Sequence, residues 1–375
     1  MTQAANLGAL GTNAGTTGIL ASTGGGTGTT AGVTGFKNRI INGAMVIDQR
    51  NAGASVTPTN GQYTLDRWYF SVSQASKLTS QQNADSVTPP VGFINYLGVT
   101  SSSAYSVLTG DYFGFRQSIE GLNVADLGWG TANAKTVTLS FWVRSSLTGS
   151  FGGSLFNSSA NRSYPFSYTI STANTWEQKS ITIAGDTTGT WLTTNGNGIQ
   201  VYFSLGAGST YSGTANAWTG GTWASQPTGS TSVVGTNGAT FYITGCQLEV
   251  GSTATSFDYR PYGTELALCQ RYLPWFNTGN GGGGTQAYNS TKTIVLFPFK
   301  VSTRVPATGV VTSGTFRQLN SSGGGITITS IVFNGSDVTQ ASIETTVASG
   351  LTGGDSTLFY SASSSEFVYF TGCEL

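Results

Sequence analysis

Histidine is absent from this chain of 375 residues. Its absence excludes a Ser-His-Asp triad. A zinc site is excluded too, because Cys246, Cys269 and Cys373 stand far apart in the sequence with no imidazole to complete a ligand set. Odd in number and scattered, the three cysteines read as buried, reduced thiols. Charge is scarce: 9% of residues are Asp, Glu, Lys or Arg, against roughly a quarter in an ordinary globular protein. The 16 basic and 16 acidic side chains cancel, and no basic run offers a footprint for phosphates or an anionic membrane. Neither nucleic acid nor membrane insertion is therefore expected. No apolar run approaches the roughly 20 residues of a membrane span, and residues 1–5 lack the basic start of a signal peptide. A soluble protein outside the secretory route is expected.

What the chain does hold is 53 glycines, 12% aromatic residues and abundant Thr and Ser, the composition of turn-rich β structure. Residues 1–35 carry no charged side chain and are dominated by Gly and Thr. Such a stretch has too little apolar surface to fold alone. It reads as an extended arm that lies down on a partner rather than as a linker, with a loose tail as the other reading.

Residues 38–50 are expected as a strand with a turn at Asn42-Gly43, and residues 63–72 as an aromatic strand. In residues 136–144, Val137, Leu139, Phe141 and Val143 alternate onto one face. Residues 163–170, 176–183, 199–205 and 240–250 add short strands separated by Gly, Asn, Ser and Thr turns, as in a sandwich or jelly roll. Trp68, Trp142 and Trp176 fall in strand patterns and are expected in the core. Residues 119–127 have room for a helical turn or two. Residues 264–273 are the best helix, with Thr264 as N-cap and Pro274 as stop. Beyond a Gly-rich segment at 277–284, residues 293–299, 325–333 and 367–370 read as strands of a smaller β domain, with the chain ending on a strand. The fold expected is mainly β: an arm (1–35), a jelly-roll β-sandwich (36–262), a short connecting helix (263–276) and a smaller C-terminal β-sandwich domain (277–375).

Several runs carry a resemblance that composition does not: NRIINGAMVIDQRNAG (38–53), LDRW (65–68), IEGLNVADL (119–127), VTLSFWVRSS (137–146), GATFYITGCQLEVGSTATSFDYRPYGTELALCQRYL (238–273) and the terminal YFTGCEL. Together they resemble a family of tailed-bacteriophage structural proteins often called tail-fibre proteins. The likeness spans residues 38–375; the arm matches nothing in it. It implies a virion component, on the tail or on the capsid surface, built of sandwiches similar to carbohydrate-binding modules and assembled as a homotrimer. It supplies no ligand residues.

Catalysis is not expected. A glycosidase needs two carboxylates about 5 to 10 Å apart, and the sixteen acids are scattered without a pairing motif. No cofactor is implied, and no calcium loop is spelled out, although jelly rolls often take a structural Ca²⁺. Asp66-Arg67-Trp68 and Asp258-Tyr259-Arg260 are expected to form ion pairs or turns inside the fold. Tyr211, Trp218 and Trp223, in the small-residue excursion between residues 206 and 240, are the candidates for stacking on a glycan; otherwise they cover the open end of the sandwich or pack on a second subunit. Two readings follow. One is a tail fibre whose arm docks on other virion proteins while its β domains meet host-surface glycan. The other is a capsid decoration or tail-connecting protein with a purely structural role.

Overall fold

The computed structural model describes residues 36–278, 283–363 and 365–375 of the protein. The expected arm, residues 1–35, and part of the Gly-rich segment at 277–284 lie outside them.

The chain is mainly β, and its larger part is a sandwich of two antiparallel sheets. One sheet runs Tyr63–Leu65, Trp68–Val72, Tyr112–Glu120, Asn197–Ala207, Gly149–Phe156, Arg162–Ile170 and Thr219–Gly220. The other runs Leu78–Gln82, Leu97–Ser101, Thr240–Val250, Val137–Ser145 and Glu177–Ile183. Alternation decides which side chains meet between them. Val137, Leu139, Phe141 and Val143 all point into one core with Trp68, Phe70, Phe113, Phe115, Phe203 and Phe241. Trp142 and Trp176 do not join them. Phe141 and Val143 occupy the inward side of the strand, so Trp142 between them faces out, half-buried, and Trp176 packs against Tyr96 outside the main core.

Residues 38–50 are not a strand. Ile40, Met45 and Ile47 are buried there, but the backbone is satisfied by side chains rather than by a ladder. Gln117 Oε1 accepts from Ile41 N at 2.8 Å while its amide donates to Ile41 O at 2.7 Å. Asn42 Oδ1 accepts from Ile47 N, and Asp66 Oδ2 from Gln49 N. Asn42 itself sits at φ 56, a left-handed turn that Asn tolerates better than most residues. Residues 119–127 carry two short 3₁₀ turns, Gly121–Asn123 and Ala125–Leu127.

The helix spans Tyr262–Gln270 and starts after Pro261, with no side-chain cap from Thr264. Past it the chain is again β, but its sheet closes on itself. Strands Gly283–Ala287, Lys292–Pro298, Gln340–Val347, Gly325–Ser336, Phe316–Leu319 and Ser356–Ser361 form a six-stranded barrel, so this unit is more closed than the small sandwich expected. Beside it lies a three-stranded sheet of Trp275–Asn277, Phe367–Thr371 and Gly309–Ser313. The final residues do not continue the last strand. They reach back to the sandwich, where Glu374 pairs with Arg50 and Arg67. All three cysteines are buried and unpaired.

Candidate functional site

The outer face of the seven-stranded sheet carries one cross-strand row. Tyr63 stands opposite Tyr69, Tyr69 opposite Arg116, Arg116 opposite Tyr202, and Tyr202 opposite Ser154. Directly opposed residues share a face. Because Phe70 and Phe115 point into the core, their neighbours Tyr69 and Arg116 point away from it.

Arg116 is the centre of this row. Its guanidinium carbon lies 4.7 Å from the Tyr69 ring centroid, 5.4 Å from that of Phe156 and 5.9 Å from that of Trp223. Among the described residues it makes no salt bridge and no hydrogen bond, and its Nε is buried without a partner. Cation–π contact holds the group in place while leaving its donors free. Tyr202 beside it is fully buried, its hydroxyl also without a partner, and burial pushes its phenol pKa well up. Gln200 completes the floor, accepting from Tyr69 Oη at 3.4 Å and donating to Asn157 O at 3.3 Å.

Residues 208–229 fold back over one end of this face. Gln226 Oε1 accepts from Ser204 Oγ at 2.6 Å, and the Pro227 ring sits where a side chain at Gly152 would stand. The fold-back brings two of the three expected aromatic residues to the row. Trp223 meets Tyr202 at 5.0 Å, Phe156 at 5.1 Å and Tyr211 at 5.6 Å, and donates to Ser154 Oγ at 3.3 Å. Tyr211 packs edge-on against Tyr112 at 5.2 Å. Both remain half-exposed at the rim.

Trp218 is placed elsewhere. It meets Trp129 at 5.3 Å and Trp191 at 5.4 Å, both nearly perpendicular, and Tyr164 at 5.2 Å, and donates to Ala184 O at 2.7 Å. Its indole nitrogen is bonded and its ring packs among three others at the margin of the main core.

Tyr63, Tyr69, Arg116 and Tyr202 are absent from the sequence reading. The signal that finds them is the outward half of the alternation: in residues 112–116 (YFGFR), two phenylalanines inward put the arginine out. The two charged motifs singled out in the sequence do form internal pairs. Arg67 bonds Glu374 at 2.7 Å, and Arg260 lies 3.3 Å from Glu265 and 3.9 Å from Asp258. Among the described residues no three Cys, Asp or Glu side chains gather in a metal-holding group.

No family model matches the chain, and no curated protein matches it. Solved structures match it at low identity. The enzymatically active domain of tailspike protein 4 of bacteriophage CBA120 is 13% identical, with a TM-score of 0.31 over 57% of this chain; the chain spans only 22% of that domain's length. The family 11 carbohydrate-binding module of a cellulosomal cellulase of Clostridium thermocellum is 13% identical, over 54% of this chain and 99% of the module, with a TM-score of 0.27. A xylan-binding domain from Paenibacillus barcinonensis is 10% identical, over 54% of this chain and 99% of the domain, with a TM-score of 0.26.

Proposed function

We propose that the protein is a non-catalytic structural component of a tailed-phage virion, a tail fibre that takes part in host attachment by binding surface glycan on the outer face of its seven-stranded sheet. The observation that carries this reading is Arg116. Its guanidinium rests on three rings with Nε buried and unpartnered, so it holds donors in place that a ligand's acceptors can fill. Sugar hydroxyls or a sugar carboxylate would supply such acceptors, with the half-exposed Tyr211 and Trp223 offering flat apolar faces for the ring. The motif resemblance described above supports the virion setting. In this reading the arm at residues 1–35 docks on other virion proteins, and the subunits assemble as homotrimers, which would bury the charge-poor surface.

The test is adsorption of particles carrying Arg116→Ala. Because the Arg116 guanidinium makes no hydrogen bond or ion pair among the described residues, the variant should fold and assemble normally. Adsorption to host cells, and binding of host polysaccharide by the isolated protein, should fall about tenfold, the factor set by about 1.4 kcal/mol. Unchanged binding would refute the assignment. Immunolabelling on the capsid instead of the tail would favour the decoration role.

A further inference from the structure

The aromatic row does not end at Tyr63. Where the sandwich meets the three-stranded sheet there is a groove of about 250 Å³, walled by Arg50, Gln62 and Tyr63 on one side and by Ser313, Phe367 and Tyr369 on the other. The three-stranded sheet sorts its side chains by face. Phe276, Val368 and Phe370 pack into the barrel core. Trp275, Phe367 and Tyr369 alternate with them and therefore lie on the opposite face, all half-buried. Trp275 and Tyr369 stack nearly parallel, 4.9 Å apart with 9° between their planes, and Phe367 lies 4.3 Å from Trp275. Three large rings on a face that the core does not use amount to a second apolar platform.

Polar groups line the same groove. Arg50 Nη1 is buried and has no hydrogen-bond partner, its contact with Asp66 Oδ1 being 3.9 Å. The Gln62 carboxamide oxygen accepts from Thr59 N, while its amide nitrogen donates to nothing among the described residues. Apolar rings with a few convergent donors are the usual composition of a sugar- or cofactor-sized site. The walls are also tied together. Tyr63 Oη donates to Leu375 O at 2.8 Å, and Arg50 Nη2 to Glu374 Oε1 at 2.6 Å.

We infer that this groove is a second sugar-binding station and that the ligand is an extended polysaccharide segment. It runs from Trp223 past Arg116 to Tyr63, and on into the groove between the two β units. The inference rests on the glycan reading above and specifies its ligand as a polymer. Tyr63 belongs to both sites: it faces Tyr69 at 4.9 Å on the row and lines the groove. A single sugar covers one station. A chain covers both, and its second contact is made at the high effective concentration set by the first.

The experiment uses the full chain and an array of bacterial capsular and O-antigen polysaccharides, each present as the intact polymer and as its disaccharide fraction. Ser313→Trp fills the groove from an exposed position without touching the core, and Tyr369→Ala removes one face of the stack; Arg116→Ala serves as the comparison. The expected result is a polymer bound at least about tenfold more tightly than its disaccharide. Each groove variant should erase that advantage, leaving disaccharide affinity within about twofold, whereas Arg116→Ala weakens both. Equal affinity for polymer and disaccharide, or an advantage untouched by Ser313→Trp, overturns the second station and leaves the first standing. Failure of the unmodified protein to bind any polysaccharide overturns the glycan reading itself and the second station with it.

Discussion

Arg67 and Glu374 are 307 positions apart, and Nη1 of the first donates to Oε2 of the second at 2.7 Å. The arginine side chain is 1% exposed, and its guanidinium lies 3.5 Å from the centroid of the Tyr272 ring. Arg50 holds the other carboxylate oxygen at 2.6 Å. The end of the chain is thus pinned to the sandwich by a carboxylate shared between two arginines. Removing one partner of a buried pair strands the other charge, so Glu374→Ala should cost about 3 kcal/mol, read by urea unfolding. Pairing it with Arg67→Met should recover much of that loss. If Glu374→Ala unfolds at the unmodified urea midpoint, the pair holds nothing together.

Asp66 gives a pH signature. Its carboxylate is fully buried, and desolvation pushes its pKa from 3.8 to about 6, against the pull of Arg50 and the Gln49 donors. A raised folded-state value means that the folded protein binds the proton more tightly than the unfolded chain. The contribution is therefore fully present below pH 3.8 and is lost as pH rises through about 6, amounting to about 3 kcal/mol. Melting temperature should accordingly rise as pH falls from 7 to 5. Asp111, Asp186 and Glu120, whose values are lowered by their hydrogen bonds, lose stability only at more acid pH. Asp66→Asn should flatten the profile in that window; an unaltered slope would assign it to another group.

The parts of this fold that were legible are those in which local pattern and tertiary role coincide. Val137 to Val143 alternate cleanly because one face is core. Residues 38–50 mimic a strand in composition, but their partners Gln117, Asp66 and Glu265 come from distant segments that local periodicity does not see. Barrel closure is equally non-local, resting on Phe316–Leu319 pairing with Ser356–Ser361 across a long connection. At the site, loop composition pointed to Tyr211 and Trp223. Arg116 and Tyr69 escaped because each is ordinary alone, and only their opposition in register gives them a shared surface. Trp218 has the same loop composition around it as Trp223; packing alone separates the two.

In the proposed reading residues 1–35 serve docking. They contain few apolar side chains, so deleting them should leave the melting temperature within about 1 °C. Particles produced with the truncated protein should lack it. Normal copy number on purified virions would remove the docking role.

The two tryptophans of the fold-back segment should respond in opposite ways. Trp218 is closed in by Trp129, Trp191 and Tyr164, so Trp218→Ala opens a cavity among them and should cost about 3 kcal/mol in thermal or urea unfolding. Trp223 lies at the rim of the Arg116 row. Its one side-chain hydrogen bond among the described residues, to Ser154 Oγ, is long at 3.3 Å, so Trp223→Ala should cost less stability and more binding. Losing one stacked ring at a sugar site is worth about 1 kcal/mol, which at fixed copy number on the particle lowers adsorption roughly fivefold. Measuring both quantities on both variants separates packing from recognition. If Trp223→Ala unfolds as readily as Trp218→Ala while adsorption per folded copy is unchanged, the ring is a lid over Tyr202 and Phe156, and the glycan contact lies with Arg116 and the groove beyond Tyr63.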